Sequence, residues 1–375
     1  MTRVGINAEP LFHRVPTGVG VYTRALCRGL AQIGKAPDIV LFHAHHETIP
    51  DPIANLPMER RAFRLDRDAL YQSWRETKRP LPQSLCGEID VLHAPGPAIP
   101  PKGGARLVAT VHDLAPLRYP ERYPVAARVT LKGGLLLAAR EASLIVCPSW
   151  ATAIEVEALL DVEPARLRVV PHGVDLPAPG DDGKVLTDLA ERGIRPPYML
   201  WIGTQEQRKN VHAVLEAFAR VAPDHPDLTL VLHGPHGWLG SEVADGLARR
   251  RIVDRTVVSE GSLRRRLLAA LYTHAEVFVF PSLYEGFGLP VLEAMSCGTP
   301  VVTSNQSALP ECVGDTGILV DPLDHDAVAA AVARILDDET LATELSNAAR
   351  LRASTFTWAE TARKTWEVYE ELTST

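Results

Sequence analysis

The segment Tyr284–Val302, YEGFGLPVLEAMSCGTPVV, sets two carboxylates, Glu285 and Glu293, around a Gly-Phe-Gly loop and a helix that opens on proline. The apolar run Val277–Phe280 before it reads as a strand. Pro290 stands where a first helical residue has no use for its N–H, so the helix is expected to begin at the loop. Its free amides and positive dipole end then face the strand termini, where they can hold an anion such as a phosphate. Gly286 and Gly288 let the backbone approach that anion, and Gly298 with Pro300 closes the helix. Glu293 is expected in the first helical turn, with Glu285 just before the helix. Carboxylates accept pairs of hydroxyl hydrogen bonds, so the array suits polyols on either side of a diphosphate, the chemistry of a nucleotide sugar. On a plainer reading Glu293 only complements the helix dipole and Glu285 is a solvated loop residue.

A second polar segment, GTQEQRKN (Gly203–Asn210), follows the apolar run Tyr198–Ile202 and precedes the amphipathic VHAVLEAFARV. Arg208 and Lys209 would then sit at the mouth of a strand-to-helix turn and reach a diphosphate, arginine by its fork and lysine as a point charge. As ordinary surface charges they would mean little. In the first half, Thr17–Tyr22 (TGVGVY) resembles half of a dinucleotide fingerprint without its third glycine, and it reads as a phosphate-approaching loop. VHDL puts His112 and Asp113 at the carboxyl end of a strand, where a polar pair would point into a ligand crevice; a packed or capping histidine is the alternative.

The elements that must position these residues are short β-branched runs alternating with longer amphipathic stretches, the pattern of βαβ units around parallel sheets. Strands are expected at 3–7, 39–43, 91–93, 107–112, 144–147 and 167–170, then at 198–202, 228–233, 256–258, 277–280, 301–303 and 318–320. Between the two series lies LPAPGDDGKVLTD (Leu176–Asp188), the best linker. The expected fold is therefore α/β, with two doubly wound parallel-sheet, Rossmann-like domains facing a central cleft: 1–178 on the acceptor side and 179–355 binding the nucleotide sugar. Residues 356–375, apolar at Phe356, Trp358, Ala362, Trp366, Tyr369 and Leu372, read as a terminal helix packing back on the first domain.

Composition excludes several classes. Of the 375 residues, 46% are hydrophobic and 23% charged, so neither disorder nor a fibrous chain is expected. The five cysteines are scattered and odd in number, which argues against a disulfide framework or a zinc site. Net charge is −7, split as +3 over residues 1–180 and −10 over 181–375. Arg249–Arg251 and Arg264–Arg266 are short clusters on solvated helix faces, so no nucleic-acid partner is expected. No apolar run approaches the ~18 residues of a membrane span and no leader is evident, so the expected location is cytoplasmic. The mildly basic first half is compatible with peripheral contact with the inner membrane face.

Taken in order, EGFGLPVLE (Glu285–Glu293), RKN (Arg208–Asn210), VHDL (Val111–Leu114), CPS (Cys147–Ser149) and PHGVD (Pro171–Asp175) resemble the retaining nucleotide-sugar glycosyltransferases of family 4, with their GT-B fold. The set covers nearly the whole chain, and VHDL and GTxxxRKN look most like the bacterial O-antigen mannosyltransferase branch. The resemblance implies that Glu285 holds hydroxyls of the donor sugar and Glu293 those of the ribose. It implies that the amides of Phe287, Gly288 and Leu289 meet sugar and phosphate, and that Arg208 and Lys209 neutralise the leaving diphosphate. Gly18 would let the first loop close over the donor, His112 and Asp113 would lie at the reacting sugar, and Ser259, Gly261 and Leu263 would flank the base. Many members carry Gly-Arg where this chain has Gly203-Thr204, and Arg208 is the substitute.

The expected reaction moves a hexosyl group from GDP-mannose or a UDP-sugar to a hydroxyl acceptor with retention. No cofactor and no metal are expected. Asp66-Arg67-Asp68 and Asp324-His325-Asp326 have a metal-diphosphate spacing but read as loops or caps, and the cations take the metal's electrostatic role. Two alternatives stay open: a nucleotide-sugar 2-epimerase on the same fold, and a non-catalytic nucleotide-sugar-binding module.

Overall fold

The computed structural model describes residues 2–13, 18–34, 38–177, 182–237 and 240–374. The chain divides into two compact units, one of Met1–Gly173 with Thr357–Thr375 and one of Val174–Phe356.

The first unit holds seven strands: β1 (Arg3–Asn7), β2 (Asp38–His43), β3 (Glu59–Ala62), β4 (Val91–Ala94), β5 (Arg106–Thr110), β6 (Leu144–Cys147) and β7 (Leu167–Val169). All pair in parallel, in the order β3-β2-β1-β4-β5-β6-β7. The inner strands are buried along their length because helices cover both faces, which is why their sequences run continuously apolar rather than alternating. Phe42, Trp74, Leu92 and Ile145 lie in this core. The expected strands are present, but β5 stops at Thr110, two residues before His112. β3 was not anticipated, because its sequence, ERRA, is the charged composition of a sheet edge rather than of a core.

The second unit holds β8 (Tyr198–Ile202), β9 (Thr229–His233), β10 (Thr256–Ser259), β11 (Val277–Phe280), β12 (Val301–Ser304) and β13 (Ile318–Val320). These are parallel in the order β10-β9-β8-β11-β12-β13. Trp201, Phe218, Tyr272, Phe278 and Phe280 are fully buried here, each contributing on the order of 1.5–3 kcal/mol by leaving water. The Pro179 cut lies outside the described residues. Much of the expected linker is instead a helix, Asp182–Ala190, whose Val185 and Leu189 pack into this core; the Pro, Gly and Asp before it obscured that short apolar period.

The Trp358–Thr373 helix is capped by Thr357, whose hydroxyl accepts from the Glu360 amide at 3.1 Å. It belongs to the first unit and buries Trp358, Thr361, Ala362, Thr365, Val368 and Tyr369, whereas Trp366 is only half-buried. It crosses the Gly18–Leu30 helix so closely that a Cβ at Gly29 would stand 2.6 Å from that of Ala362. Phe356 stays with the second unit, edge-on to Phe287 at 5.9 Å. No helix among the described residues is long and apolar enough to cross a membrane.

Candidate active site

In a doubly wound sheet the loops leaving the first two diverging strands part at their carboxyl ends and open a crevice. In the second unit that point falls between β8 and β11. The two loops flanking it carry the residues singled out from sequence, with Arg208 and Lys209 after β8 and Glu285 to Leu289 after β11.

Arg208, Lys209 and Glu285 meet there. Lys209 Nζ donates to Glu285 Oε1 at 2.6 Å and lies 4.9 Å from the centre of the Phe280 ring. Arg208 Nη1 reaches the same Oε1 at 3.1 Å and the Tyr284 carbonyl at 2.6 Å, while its Nη2 holds Glu206 at 2.6 Å. The Ser282 hydroxyl donates to Oε1 at 2.8 Å. Glu285 is buried, with 8% of its surface exposed. Burial alone would raise its carboxyl, but Lys209 and Arg208 beside it more than offset this and hold it below its ordinary value. Burial and the Arg208 charge pull the Lys209 ammonium down, with Glu285 opposing. Three donors converge on Oε1, and none among the described residues reaches Oε2. Both terminal nitrogens of Arg208 already serve protein acceptors, so a diphosphate would have to share them. Lys209 has three N–H donors, of which Glu285 takes one.

Beyond Glu285 the chain turns into the Leu289–Cys297 helix. Gly288 is its N-cap at φ +106°, a left-handed conformation that disfavours a side chain, and a Cβ there would press on Leu309 at 2.8 Å. Leu289 and Pro290 are the first two helical residues, so Pro290 is second rather than first. In this first turn Pro290 has no N–H and the Val291 and Leu292 amides bond to the Gly288 carbonyl at 3.0 and 3.1 Å, which leaves the Leu289 amide without an acceptor among the described residues. Glu293 is the fifth helical residue, in the second turn rather than the first, because the helix begins at Leu289, one residue before Pro290. Among the described residues it has no contact with the Lys209 cluster and accepts instead from the Tyr272 hydroxyl at 3.0 Å.

Burial pushes the Glu293 carboxyl up from 4.5 to about 7, against the pull of Tyr272 and Arg265. The folded chain therefore keeps a proton that the unfolded chain loses, and stability falls as pH rises from 4.5 to about 7. Glu293→Gln removes this dependence. The variant is expected to gain about 1–3 kcal/mol over the parent at pH 8 and little at pH 4, seen as a Tm difference that opens with pH. A difference constant across that range would refute the assignment.

Ser259 ends β10, and Gly261 and Leu263 follow it on the same carboxyl edge. Ser259 is buried and pairs with His233 Nδ1 at 3.3 Å, Gly261 turns at φ +90° into open space, and Leu263 packs half-buried on the core. Both Asp-x-Asp segments are helix caps: Asp66 Oδ1 accepts from the Ala69 amide and Asp324 Oδ1 from the Ala327 amide, each at 2.9 Å. Arg250 pairs with Glu216 at 2.7 Å and Arg265 with Asp175 at 2.5 Å, so neither arginine cluster is wholly a solvated face. Of the cysteines, Cys297 is half-buried and the other four are buried.

In the first unit, His112 lies just past β5. Its Nε2 meets the Pro95 carbonyl at 2.8 Å and its Nδ1 meets His172 Nε2 at 3.2 Å. Asp113 Oδ1 accepts from the Ala115 amide at 2.9 Å. Gly18 is the exposed first residue of the Gly18–Leu30 helix, and nothing lies within 4 Å of where its Cβ would be. Thr17 lies outside the described residues.

Sequence reasoning gave no role to Ser282, Glu206, Tyr272 or Asn210. Asn210 takes a left-handed conformation at φ +51° at the N-cap position of the Val211–Val221 helix, without a side-chain capping hydrogen bond. Its amide donates to the Pro281 and Pro322 carbonyls at 3.0 and 2.8 Å, tying the loops after β11 and β13 to the β8 loop. An asparagine just before an amphipathic run is a readable cap signal. The partners 71 and 112 residues away are not.

Residues 16–177 match the family described as Glycosyltransferase Family 4, and residues 190–352 match Glycosyl transferases group 1. Among characterised relatives, the O-antigen chain mannosyltransferase B of Escherichia coli is 31% identical over 97% of this chain and 98% of its own. The MMP alpha-(1->4)-mannosyltransferase of Mycolicibacterium hassiacum is 30% identical over 94% of each. Among solved structures, sucrose-phosphate synthase from Thermosynechococcus elongatus superposes with a TM-score of 0.77 at 22% identity, covering 100% of both chains. Two Rossmann-like parallel-sheet units of this kind define the GT-B class of sugar-transferring enzymes. The chain belongs to glycosyltransferase family 4.

Proposed function

We propose that this glycosyltransferase moves a hexosyl group, mannosyl on the names of its two relatives, from a nucleoside diphosphate sugar to a hydroxyl acceptor. In this reading transfer occurs with retention and without a metal. The observation that carries it is the asymmetry of Glu285: three donors hold Oε1, and Oε2 is left to accept from a sugar hydroxyl beside the Lys209 ammonium and the start of a helix. Leaving-group departure builds negative charge on the diphosphate, and a fixed ammonium with the Leu289 amide at the start of the helix would stabilise it without reorganisation. Glu293 would take the ribose hydroxyls, and the carboxyl edge near Ser259 and Gly261 the base. The first unit would hold the acceptor and offer His112 to the transferred sugar.

The test is a screen of GDP-mannose, UDP-glucose, UDP-N-acetylglucosamine and dTDP-sugars by thermal shift and by slow donor hydrolysis, with and without EDTA. One donor is expected to raise Tm and to hydrolyse equally with chelator, and proton NMR of the transfer product should show the donor's anomeric configuration. No response to any donor would refute the reading, and loss of turnover in EDTA would refute metal independence.

A further inference from the structure

His112 and His172 come together from separate segments of the first unit, and the hydrogen-bonding capacities around them fix where their protons sit. The Pro95 carbonyl only accepts, so His112 Nε2, 2.8 Å away, must carry a hydrogen. In a neutral imidazole the other nitrogen is then an acceptor. His112 Nδ1 therefore accepts from His172 Nε2 at 3.2 Å, and His172 must carry its hydrogen on Nε2. We propose that His172 is a positioning residue that locks His112 into the single neutral tautomer protonated at Nε2, leaving neither ring nitrogen to shuttle a proton during transfer.

The surroundings hold this arrangement in place. The Tyr22 ring stands edge-on to His112 at 4.8 Å and tilted against His172 at 4.8 Å. Trp358, the first residue of the last helix, stacks on His172 at 5.9 Å and 28°. Gly173 lets the main chain of Trp358 approach, since a Cβ there would lie 2.2 Å from the Trp358 nitrogen. The titratable groups facing His112 are His172, Tyr22, the adjacent Asp113, and His93 on β4, which is itself bonded to Tyr369 of the last helix at 2.6 Å and to Thr110 at 2.8 Å. Burial lowers His112, with the Pro95 carbonyl and Asp113 opposing. Burial and the His112 charge lower His172 well below its ordinary value. Neutral rings at pH 7 follow.

This inference rests on the proposed role of His112 at the transferred sugar, but its first test needs no substrate. Long-range proton–nitrogen NMR of histidine-labelled protein at pH 7 is expected to show His112 with a bare Nδ1 and a protonated Nε2. The opposite tautomer, or a His112 charged at pH 7, would overturn the proposal even if the enzyme transfers sugar. Conversely, an enzyme with the expected tautomer but no response to any donor would fail the functional reading alone.

The second test uses two variants at the same position. His172→Phe removes the donor that holds Nδ1 as an acceptor, so His112 protonates more easily. The acid limb of kcat/KM should move up by about one pH unit, and kcat at neutral pH should fall on the order of tenfold with donor KM nearly unchanged. His172→Gln keeps an amide N–H near the Nε2 position and should restore both. Equal behaviour of the two variants, or a loss confined to KM, would refute a positioning role.

Discussion

Replacing Lys209 with methionine is expected to lower kcat on the order of 10²–10³-fold, the loss typical of one preorganised charged donor at a site of developing negative charge. Methionine puts an unbranched apolar chain in place of the ammonium that stands over the Phe280 ring, so it removes the charge with little change of shape. Glu285 still has Arg208 at 3.1 Å and Ser282 at 2.8 Å, so the variant should fold. Donor affinity should fall much less than kcat, because charge on the diphosphate grows mainly as the bond breaks. The check is single-turnover kinetics with the donor found by screening. A drop in KM-linked binding with kcat intact would show that Lys209 serves only ground-state binding.

The opposite deletion strikes stability. Glu285→Ala leaves the Lys209 ammonium and the Arg208 guanidinium buried side by side without their shared counter-charge, and removing one partner of a buried ion pair typically costs ~3–5 kcal/mol. Glu206 still pairs with Arg208, which places the expectation near the lower end. It should appear as a lower urea midpoint, at unchanged slope, in the transition of the second unit. Combining Lys209→Met with Glu285→Ala removes charges of both signs and should recover part of the stability, a coupling of ~0.5–3 kcal/mol, but none of the turnover. Additive losses in the double variant would mean that the two groups do not act on each other.

The βαβ frame was legible because strands covered on both faces leave unbroken apolar runs such as VFVF and YMLWI. β3 was not, since an edge strand that stays wet has no need of such a run. Arg208, Lys209 and Glu285 could be placed from sequence because each follows a strand directly, and the strand ends bring them together whatever the loops do. Glu293 moved by one position, into the second turn, because the first helical residue depends on the φ of Gly288, which a glycine does not announce. His172 and Trp358 were seen only as part of a motif and of a tail. Their meeting depends on the last helix packing beside the first, a contact set by tertiary complementarity with no local signal.

That return of the last helix has a consequence for the order in which the polypeptide can mature on the ribosome. His93 bonds to Tyr369, 276 residues later, and Gly29 fits against Ala362. Residues 174–356 are thus an excursion from a body whose closing piece is translated only after them. The usual sequence of events, in which the amino-terminal body is finished first, is reversed here. The inserted body has all of its own core while the first still lacks Trp358, Thr365 and Tyr369. A released chain truncated after residue 356 should accordingly present a protease-resistant second body and an open, chaperone-dependent first one.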